Sequence, residues 1–256
     1  MLRAIDLRFS HRGGQELFGG LTFEIPDGGF ALICGANGAG KSTFLDILGG
    51  LESPRGGTVE LDGESAREAL AKGTALVPQD PDQYLLGEDP REELELGLSR
   101  SAGSGKPEDA VRGSVKGGAG SDSGTGESGA VAGAEAIAER WGLSGMLDVP
   151  VERLSHGLKK RLAIASALAG GPKAVLLDEP FSGLDWPGTG ALLEDLARLK
   201  AAGRVCVVAT HEPYLLSGLA DAWLLLKREG SLFTRDPAVL KRLPEFGVRP
   251  YPGPCP

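Results

Sequence analysis

The sequence predicts an α/β fold in which helices cover both faces of a mostly parallel sheet, joined to an N-terminal antiparallel β subdomain and a small helical subdomain. Wholly apolar runs at residues 30–34, 174–177 and 205–209 are typical of strands buried on both faces. Segments with a helical pattern separate them, and strands that alternate with helices form a parallel sheet. Residues 2–34 instead alternate apolar and polar side chains between Gly and Pro turns, which predicts short antiparallel strands.

The remaining elements follow in chain order. We expect further strands at residues 56–63 and 74–77, and helices at residues 41–48, 91–98, 134–141, 155–169, 188–202 and 213–220. Between residues 99 and 130 the only larger aliphatic side chains are Val111 and Val115. Such a segment buries too little apolar surface to offset its ordering entropy, so we predict a flexible insert. The resulting divisions are a β subdomain with the first part of the core (1–98), the insert (99–130), the helical subdomain (131–170), the rest of the core (171–234) and a C-terminal tail (235–256).

Composition narrows the class of protein. The net charge of −8 and the lack of a cluster of five or more Lys or Arg residues weigh against nucleic acid as the main partner. We expect the short basic run at residues 159–161 to be a solvated helix face. The scattered cysteines predict buried thiols in a reducing compartment. No secretory signal and no 18-residue apolar run is found, so any membrane role is expected to be peripheral.

One loop carries most of the functional signal. Residues 35–42 have the sequence Gly-Ala-Asn-Gly-Ala-Gly-Lys-Ser, which fits the phosphate-binding pattern G-x-x-x-x-G-K-[ST]. Glycines let backbone N–H groups turn toward phosphate oxygens, and the following helix places its positive N-terminal end there. Lys41 can reach the β- and γ-phosphates, while the Ser42 hydroxyl suits Mg²⁺. The chain has no guanine-reading Asn-Lys-x-Asp motif, which disfavours a GTPase.

Two carboxylates follow the apolar run at residues 175–177. A buried strand would deliver Asp178 to its carboxyl end, where the side chain can hold Mg²⁺ through water beside the phosphate loop. Glu179, one residue further on, can act as the general base toward an attacking water.

Four further motifs lie in the order and at the spacing of one family. Residues 154–158, Leu-Ser-His-Gly-Leu, resemble the LSGGQ signature of the ATP-binding cassette (ABC) ATPases, with His156 and Leu158 in place of Gly and Gln. Residues 181–185, Phe-Ser-Gly-Leu-Asp, match the family's D-loop. His211 matches the switch histidine and Gln79 the Q-loop glutamine. The resemblance covers nearly all of the chain outside the insert and the last few residues.

The resemblance implies that two subunits close head to tail around two ATP molecules. Each ATP would be held from one side by the phosphate loop, formed by Gly35, Asn37, Gly38, Ala39, Gly40, Lys41, Ser42 and Thr43. Ser155 and Gly157 of the other subunit would contact its γ-phosphate. Glu179 and His211 would act on the attacking water and γ-phosphate, together with Lys41. Ser42, Gln79 and Asp178 would hold Mg²⁺, and His11 would stack on adenine.

A narrower resemblance lies in residues 79–86, Gln-Asp-Pro-Asp-Gln-Tyr-Leu-Leu. This segment is similar to the one that follows the Q-loop in the energy-coupling factor ATPases, which work at the cytoplasmic face of the membrane with separate integral membrane subunits. They drive uptake of cobalt, nickel or vitamins. Asp80 and Asp82, with Glu88, Asp89, Glu92 and Glu93, are expected to form an acidic edge that receives a basic coupling helix. The alternatives are the ATPase of another ABC transporter, exporters included, and a non-transport ABC ATPase. An identical or a different partner ATPase remains open.

Overall fold

The computed structural model describes residues 1–10, 16–100, 126–227 and 230–249. Its strands are β1 (Leu2–Ser10), β2 (Glu16–Ile25), β3 (Phe30–Gly35), β4 (Gly56–Leu61), β5 (Glu64–Ser65), β6 (Thr74–Val77), β7 (Ala174–Asp178), β8 (Val205–Ala209), β9 (Ala222–Lys227) and β10 (Gly230–Thr234). Its α-helices are α1 (Lys41–Leu48), α2 (Ala66–Ala71), α3 (Pro90–Ser99), α4 (Gly126–Arg140), α5 (His156–Ala169) and α6 (Trp186–Ala201). Short 3₁₀ helices lie at Pro81–Gln83, Ser144–Met146, Val151–Arg153, Pro213–Leu216 and Pro237–Phe246.

Two sheets organise the chain, as the sequence predicts. The larger has the order β10-β9-β3-β8-β7-β6, and its neighbours are parallel except for the antiparallel edge strand β10. The smaller sheet, in the order β2-β1-β4-β5, is antiparallel throughout. The α/β fold with an N-terminal antiparallel β subdomain is therefore confirmed.

Strand β3 contributes to two apolar cores at once. Phe30, Leu32 and Cys34 face a core shared with helices α4, α5 and α6. Ala31 and Ile33 face a second core shared with α1 and the antiparallel sheet. This double burial explains why the strand is apolar at every position.

The prediction of buried thiols holds for the two cysteines that the structure describes. Cys34 and Cys206 are buried free thiols, and burial raises the pKa of each to about 12. Both are therefore protonated and unreactive at neutral pH. Cys255 lies outside the described residues.

Helix α1 and strands β6 and β8 have the predicted bounds, whereas two other predictions need correction. Helix α4 begins at Gly126, inside the last residues assigned to the insert. Residues 101–125 of the insert lie outside the described residues. The helix predicted at 213–220 is wrong, because only Pro213–Leu216 forms a 3₁₀ turn. There the Ser217 hydroxyl donates to the Tyr214 carbonyl at 3.0 Å, a local bond that competes with helix continuation.

The C-terminal part holds elements that the sequence reading missed. Strands β9 and β10 complete the large sheet next to β3. Within the segment assigned to a tail, the 3₁₀ helix Pro237–Phe246 buries four apolar side chains against the core, Val239, Leu240, Leu243 and Phe246. In the described part of the chain, no helix combines the length and the apolar character needed to cross a membrane.

Candidate nucleotide site

The loops after β3, β7 and β8 meet at one edge of the large sheet, because these strands are neighbours and run parallel. There they border a cleft of about 640 Å³. Its lining brings together most of the predicted site residues, with Leu17 and Ser182 added: Leu17, Asn37, Gly38, Gly40, Lys41, Ser42, Thr43, Gln79, Asp178, Glu179, Ser182 and His211. Ligands of parallel α/β sheets bind at this end of the strands.

Glycines are required where the phosphate loop turns into α1. The N-cap residue Gly40 has φ 94° and Gly38 has φ 77°, in the left-handed region that disfavours side chains. A Cβ on Gly35 would lie 2.5 Å from the Leu226 carbonyl oxygen of the neighbouring strand. The loop is thereby held close to β9 while α1 directs its N-terminal N–H groups into the cleft.

Lys41 is the first residue of α1 and is almost fully buried. Its ammonium donates to the Gly35 carbonyl at 3.0 Å and lies 3.4 Å from Glu179 Oε1. A buried cation therefore stands between the phosphate loop and the carboxylate that follows β7.

Glu179 is held from two sides. Its other oxygen, Oε2, lies 2.7 Å from His211 Nδ1 and accepts the His211 backbone N–H at 3.2 Å. The Glu179 backbone has φ 44°, unusual for a residue with a side chain, and its N–H donates to the Ala209 carbonyl at 2.9 Å. A buried carboxylate oriented by a histidine and a lysine has the geometry of a general base.

Asp178 supplies the best-fitting position for a cation. Burial raises the pKa of its carboxyl group, an effect to which the charge of Glu179 adds and which a hydrogen bond from Ser42 opposes. Among the described residues its buried Oδ1 has no hydrogen-bond partner. A buried carboxylate oxygen without a donor, beside a serine hydroxyl and Gln79, is a donor set that suits Mg²⁺.

Some predicted residues stand apart from this cleft. Ser155 caps α5 by accepting the Leu158 N–H at 3.3 Å, and neither Ser155 nor Gly157 lines the cleft of its own chain. His156 borders an adjoining cavity of about 430 Å³ that also contacts Ser42, Gln79 and Asp178. His11, the predicted adenine contact, lies outside the described residues.

Comparison with known proteins identifies a family whose matching region includes most residues of this cleft. The family model described as ABC transporter matches residues 18–182, a span that contains the phosphate loop, Gln79, the signature segment and both carboxylates. The chain belongs to the ABC transporter family. It is an ABC ATPase.

Relatives with similar sequences include transporter subunits. The cobalt import ATP-binding protein CbiO of Rhodobacter capsulatus is 34% identical over 238 residues, covering 89% of this chain and 75% of that protein. The energy-coupling factor transporter ATP-binding protein EcfA of Methanosphaera stadtmanae is 30% identical over 232 residues, covering 86% and 74%. Among solved structures, a dimeric ATP-binding cassette in a post-hydrolysis state with ADP and Pi superposes with a TM-score of 0.73 at 22% identity, covering 92% of this chain and 98% of that one. At that identity the likeness shows the fold alone.

The basic run at residues 159–161 of this ABC ATPase is not the solvated face that we expect from the sequence. Lys160 is 0% exposed, and its ammonium donates to the Gln79 carbonyl at 2.6 Å and the Pro78 carbonyl at 3.2 Å. Burial lowers the pKa of Lys160 to about 8, although nearby carboxylates favour its charged form. Arg161 donates to the Trp141 carbonyl at 3.1 Å and pairs with Asp185 of the D-loop. The sequence does contain a pattern that could have predicted the burial of Lys160. Residues at helical spacing from it, Ala163, Ile164 and Ala167, are apolar, so position 160 lies on an apolar face of the helix.

Some carboxylates of the predicted acidic edge already have hydrogen-bond or ion-pair partners within the chain. Glu93 is fully buried, and its Oε2 accepts the N–H groups of Leu86 and Gly87 at 2.7 and 2.8 Å. Its Oε1 accepts the Ser166 hydroxyl at 2.7 Å. Asp82 pairs with Lys159 at 2.7 Å. The negative field at this edge is therefore weaker than the count of carboxylates suggests.

Proposed function

We propose that the chain is the ATP-binding and ATP-hydrolysing subunit of an importer of the energy-coupling factor type. It would power the uptake of a metal ion such as cobalt or nickel, or of a vitamin, through separate membrane subunits. The observation that carries this proposal is the segment at residues 79–86, which joins the nucleotide cleft to an exposed edge. Gln79 at its start lines the cleft, whereas Leu86 at its end is 57% exposed. The named relatives CbiO and EcfA support the same assignment.

The cleft supports a direct route to hydrolysis. The phosphate loop and Lys41 would hold the β- and γ-phosphates, and Glu179 would accept the proton of the attacking water. His211, bonded to Glu179 through Nδ1, would orient that carboxylate. Ser42, Gln79 and Asp178 would hold Mg²⁺, which supplies positive charge that offsets the charge developing on the phosphates.

A second ATPase subunit would complete the site. Ser155 is the N-cap of α5 and Gly157 lies in its first turn, so a hydroxyl and a helix N-terminus are available to the γ-phosphate of a facing subunit. Because neither lines the cleft of its own chain, we assign both to contact in trans. His11 stays a proposed adenine contact.

The membrane partner would dock on the edge formed by Asp80, Asp82 and Leu86, with the chain held peripherally at the cytoplasmic face. All three residues are exposed. A basic coupling helix would meet carboxylates at the rim and apolar surface at Leu86. Movement of this segment would reach Gln79 through the short 3₁₀ helix Pro81–Gln83.

Co-purification from host membranes tests the proposal. We expect the tagged wild-type chain to recover integral membrane proteins, among them a small substrate-binding protein, and to support uptake of labelled cobalt, nickel or vitamin. Asp82→Ala should weaken this assembly. Wild-type assembly should itself weaken as salt rises, because rim charges are screened over about 8–10 Å at physiological ionic strength, so the effect of the variant should be largest at low salt. Hydrolysis by the isolated variant reports whether its nucleotide site is intact.

Lys159→Met is the matched control, because it removes the same internal ion pair and leaves the Asp82 carboxylate in place. If only Asp82→Ala weakens assembly, the carboxylate itself contacts the partner. Equal loss in both variants would mean that the internal pair merely shapes the edge. Recovery of an export permease, or stimulation of hydrolysis by DNA or RNA, would contradict the importer assignment in favour of the other transporter or the non-transport ATPase.

A further inference from the structure

Lys160 occupies the point where two strands of the large sheet part. The pairing of β6 with β7 ends at Val77 and Leu177. The next carbonyl groups along both strands belong to Pro78, Gln79 and Asp178. The Lys160 ammonium lies 3.2, 2.6 and 3.5 Å from their oxygens, respectively. An ammonium has three donors, and here each has a carbonyl acceptor in a position that water does not reach.

Two of the three carbonyl groups that Lys160 binds belong to residues of the nucleotide cleft. Gln79 and Asp178 both line it, and Glu179 directly follows Asp178. Lys160 itself does not line the cleft, so its influence on the nucleotide passes through the backbone of these residues. Loss of the ammonium would take a donor away from all three carbonyl oxygens, in a buried contact for Asp178 and in part-buried contacts for Pro78 and Gln79. It would also remove the only side chain among the described residues that hydrogen-bonds both strand ends.

We propose that Lys160 is a positioning residue for ATP hydrolysis: it fixes the separation of the Gln79 and Asp178 backbones, and thereby of the two side chains assigned to Mg²⁺. The signature helix α5 is in this way tied to the metal-binding side of its own nucleotide cleft. This role concerns how the chain hydrolyses ATP and rests on the proposed assignment of Gln79 and Asp178 to Mg²⁺. It does not depend on which transporter the chain serves.

The test compares Lys160→Met, which keeps the length of the side chain but has no donor, with Lys160→Arg, which keeps donors and charge. We expect Lys160→Met to lower kcat about 10–100-fold, the usual effect of losing a group that orients metal ligands. The Mg²⁺ concentration for half-maximal rate should rise. ATP with Mg²⁺ should raise the melting temperature more than ATP alone does, and this extra increase should be smaller in Lys160→Met. The affinity for ATP in EDTA should stay near the wild-type value. Lys160→Arg should be closer to wild type than Lys160→Met in kcat, in its Mg²⁺ requirement and in its stabilisation by Mg²⁺. Lys159→Met, one residue away, should behave as wild type.

Wild-type kcat and Mg²⁺ dependence in Lys160→Met would overturn the proposal. So would a lower rate with an unchanged Mg²⁺ requirement, because that pattern indicates a general loss of stability. If Lys160→Met does not fold, Lys160→Gln replaces it with the same criteria, because its side chain is shorter, uncharged and has two N–H donors for three carbonyl groups. All readings use the isolated full chain, so failure here leaves the importer proposal, which rests on membrane co-purification, unaffected.

Discussion

Glu179 shows how much of this site is decided by single side chains. Its two oxygens have different neighbours, Lys41 at Oε1 and His211 at Oε2. The residue is buried and its backbone lies in the left-handed region, so its carboxylate has little freedom to move. Orientation of this kind matters for a base, which must meet the attacking water at hydrogen-bond distance.

Glu179→Gln should slow ATP hydrolysis by about 10²–10⁴-fold, because an amide has the shape of the carboxylate but cannot accept the proton. ATP affinity should change little, since Glu179 is not part of the phosphate loop. Single-turnover hydrolysis and equilibrium binding of ATP measure the two effects. Glu212→Gln, next to His211 and outside the cleft lining, is the control. Full-rate hydrolysis by Glu179→Gln would show that Glu179 is not the general base.

Lys41→Ala should abolish productive ATP binding or hydrolysis, because it removes the cation from the phosphate loop. It also leaves the buried Glu179 carboxylate without its lysine partner. Steady-state hydrolysis measured alongside Lys173→Ala checks this, since exposed Lys173 precedes β7 at the end opposite to Asp178. Turnover near wild type in Lys41→Ala would contradict the phosphate-loop assignment.

At the scale of elements, the close approach of α3 to α5 depends on a glycine. A Cβ on Gly97 of α3 would lie 2.3 Å from the Ser166 carbonyl oxygen of α5. Across the same contact, the Ser166 hydroxyl donates to the backbone carbonyl of Glu93 at 3.0 Å and to its carboxylate at 2.7 Å. Helix propensity alone would favour alanine at position 97, so packing overrides it here.

Gly97→Ala should therefore lower the free energy of unfolding by about 1–3 kcal/mol, the cost of overpacking a tight contact. Gly190→Ala in α6 is the matched control, because Gly190 is exposed and a Cβ there would meet nothing within 4 Å. It should raise stability by about 0.5–1 kcal/mol through helix propensity. Urea unfolding of both variants measures the difference, and stabilisation by Gly97→Ala would show that α3 and α5 are further apart.

For the whole molecule, the site depends on a sheet order that differs from the chain order. β3 lies between β8 and β9, although more than 150 residues separate it from either in sequence. In the described part of the chain, the six strands of that sheet lie either before α3 or after α4. We therefore expect the segment between these two helices to tolerate a change of length without a change of strand order.

Deleting residues 107–118 should change the melting temperature by about 2 °C or less. Shortening a flexible connection alters its closure free energy by only about 0.6 kcal/mol per halving, which corresponds to a small shift for a chain of this size. Calorimetry of the deletion variant and the full chain gives the answer. A fall of about 10 °C would show that the segment packs against the core.

The sequence by itself determined the features that rest on local pattern. The phosphate loop, the strand ending in Asp178 and the bounds of α1, β6 and β8 follow from short-range signals, because backbone conformation and double burial leave marks on adjacent residues. Only the tertiary structure decided the environment of charged side chains. Lys160 and Glu93 are buried because partners some 70 to 80 residues away in sequence satisfy them, Gln79 for Lys160 and Ser166 for Glu93. Composition cannot reveal such pairs, since a lysine or a glutamate on a helix is ordinarily solvated, and burial becomes favourable only where distant backbone and hydroxyl groups converge on it.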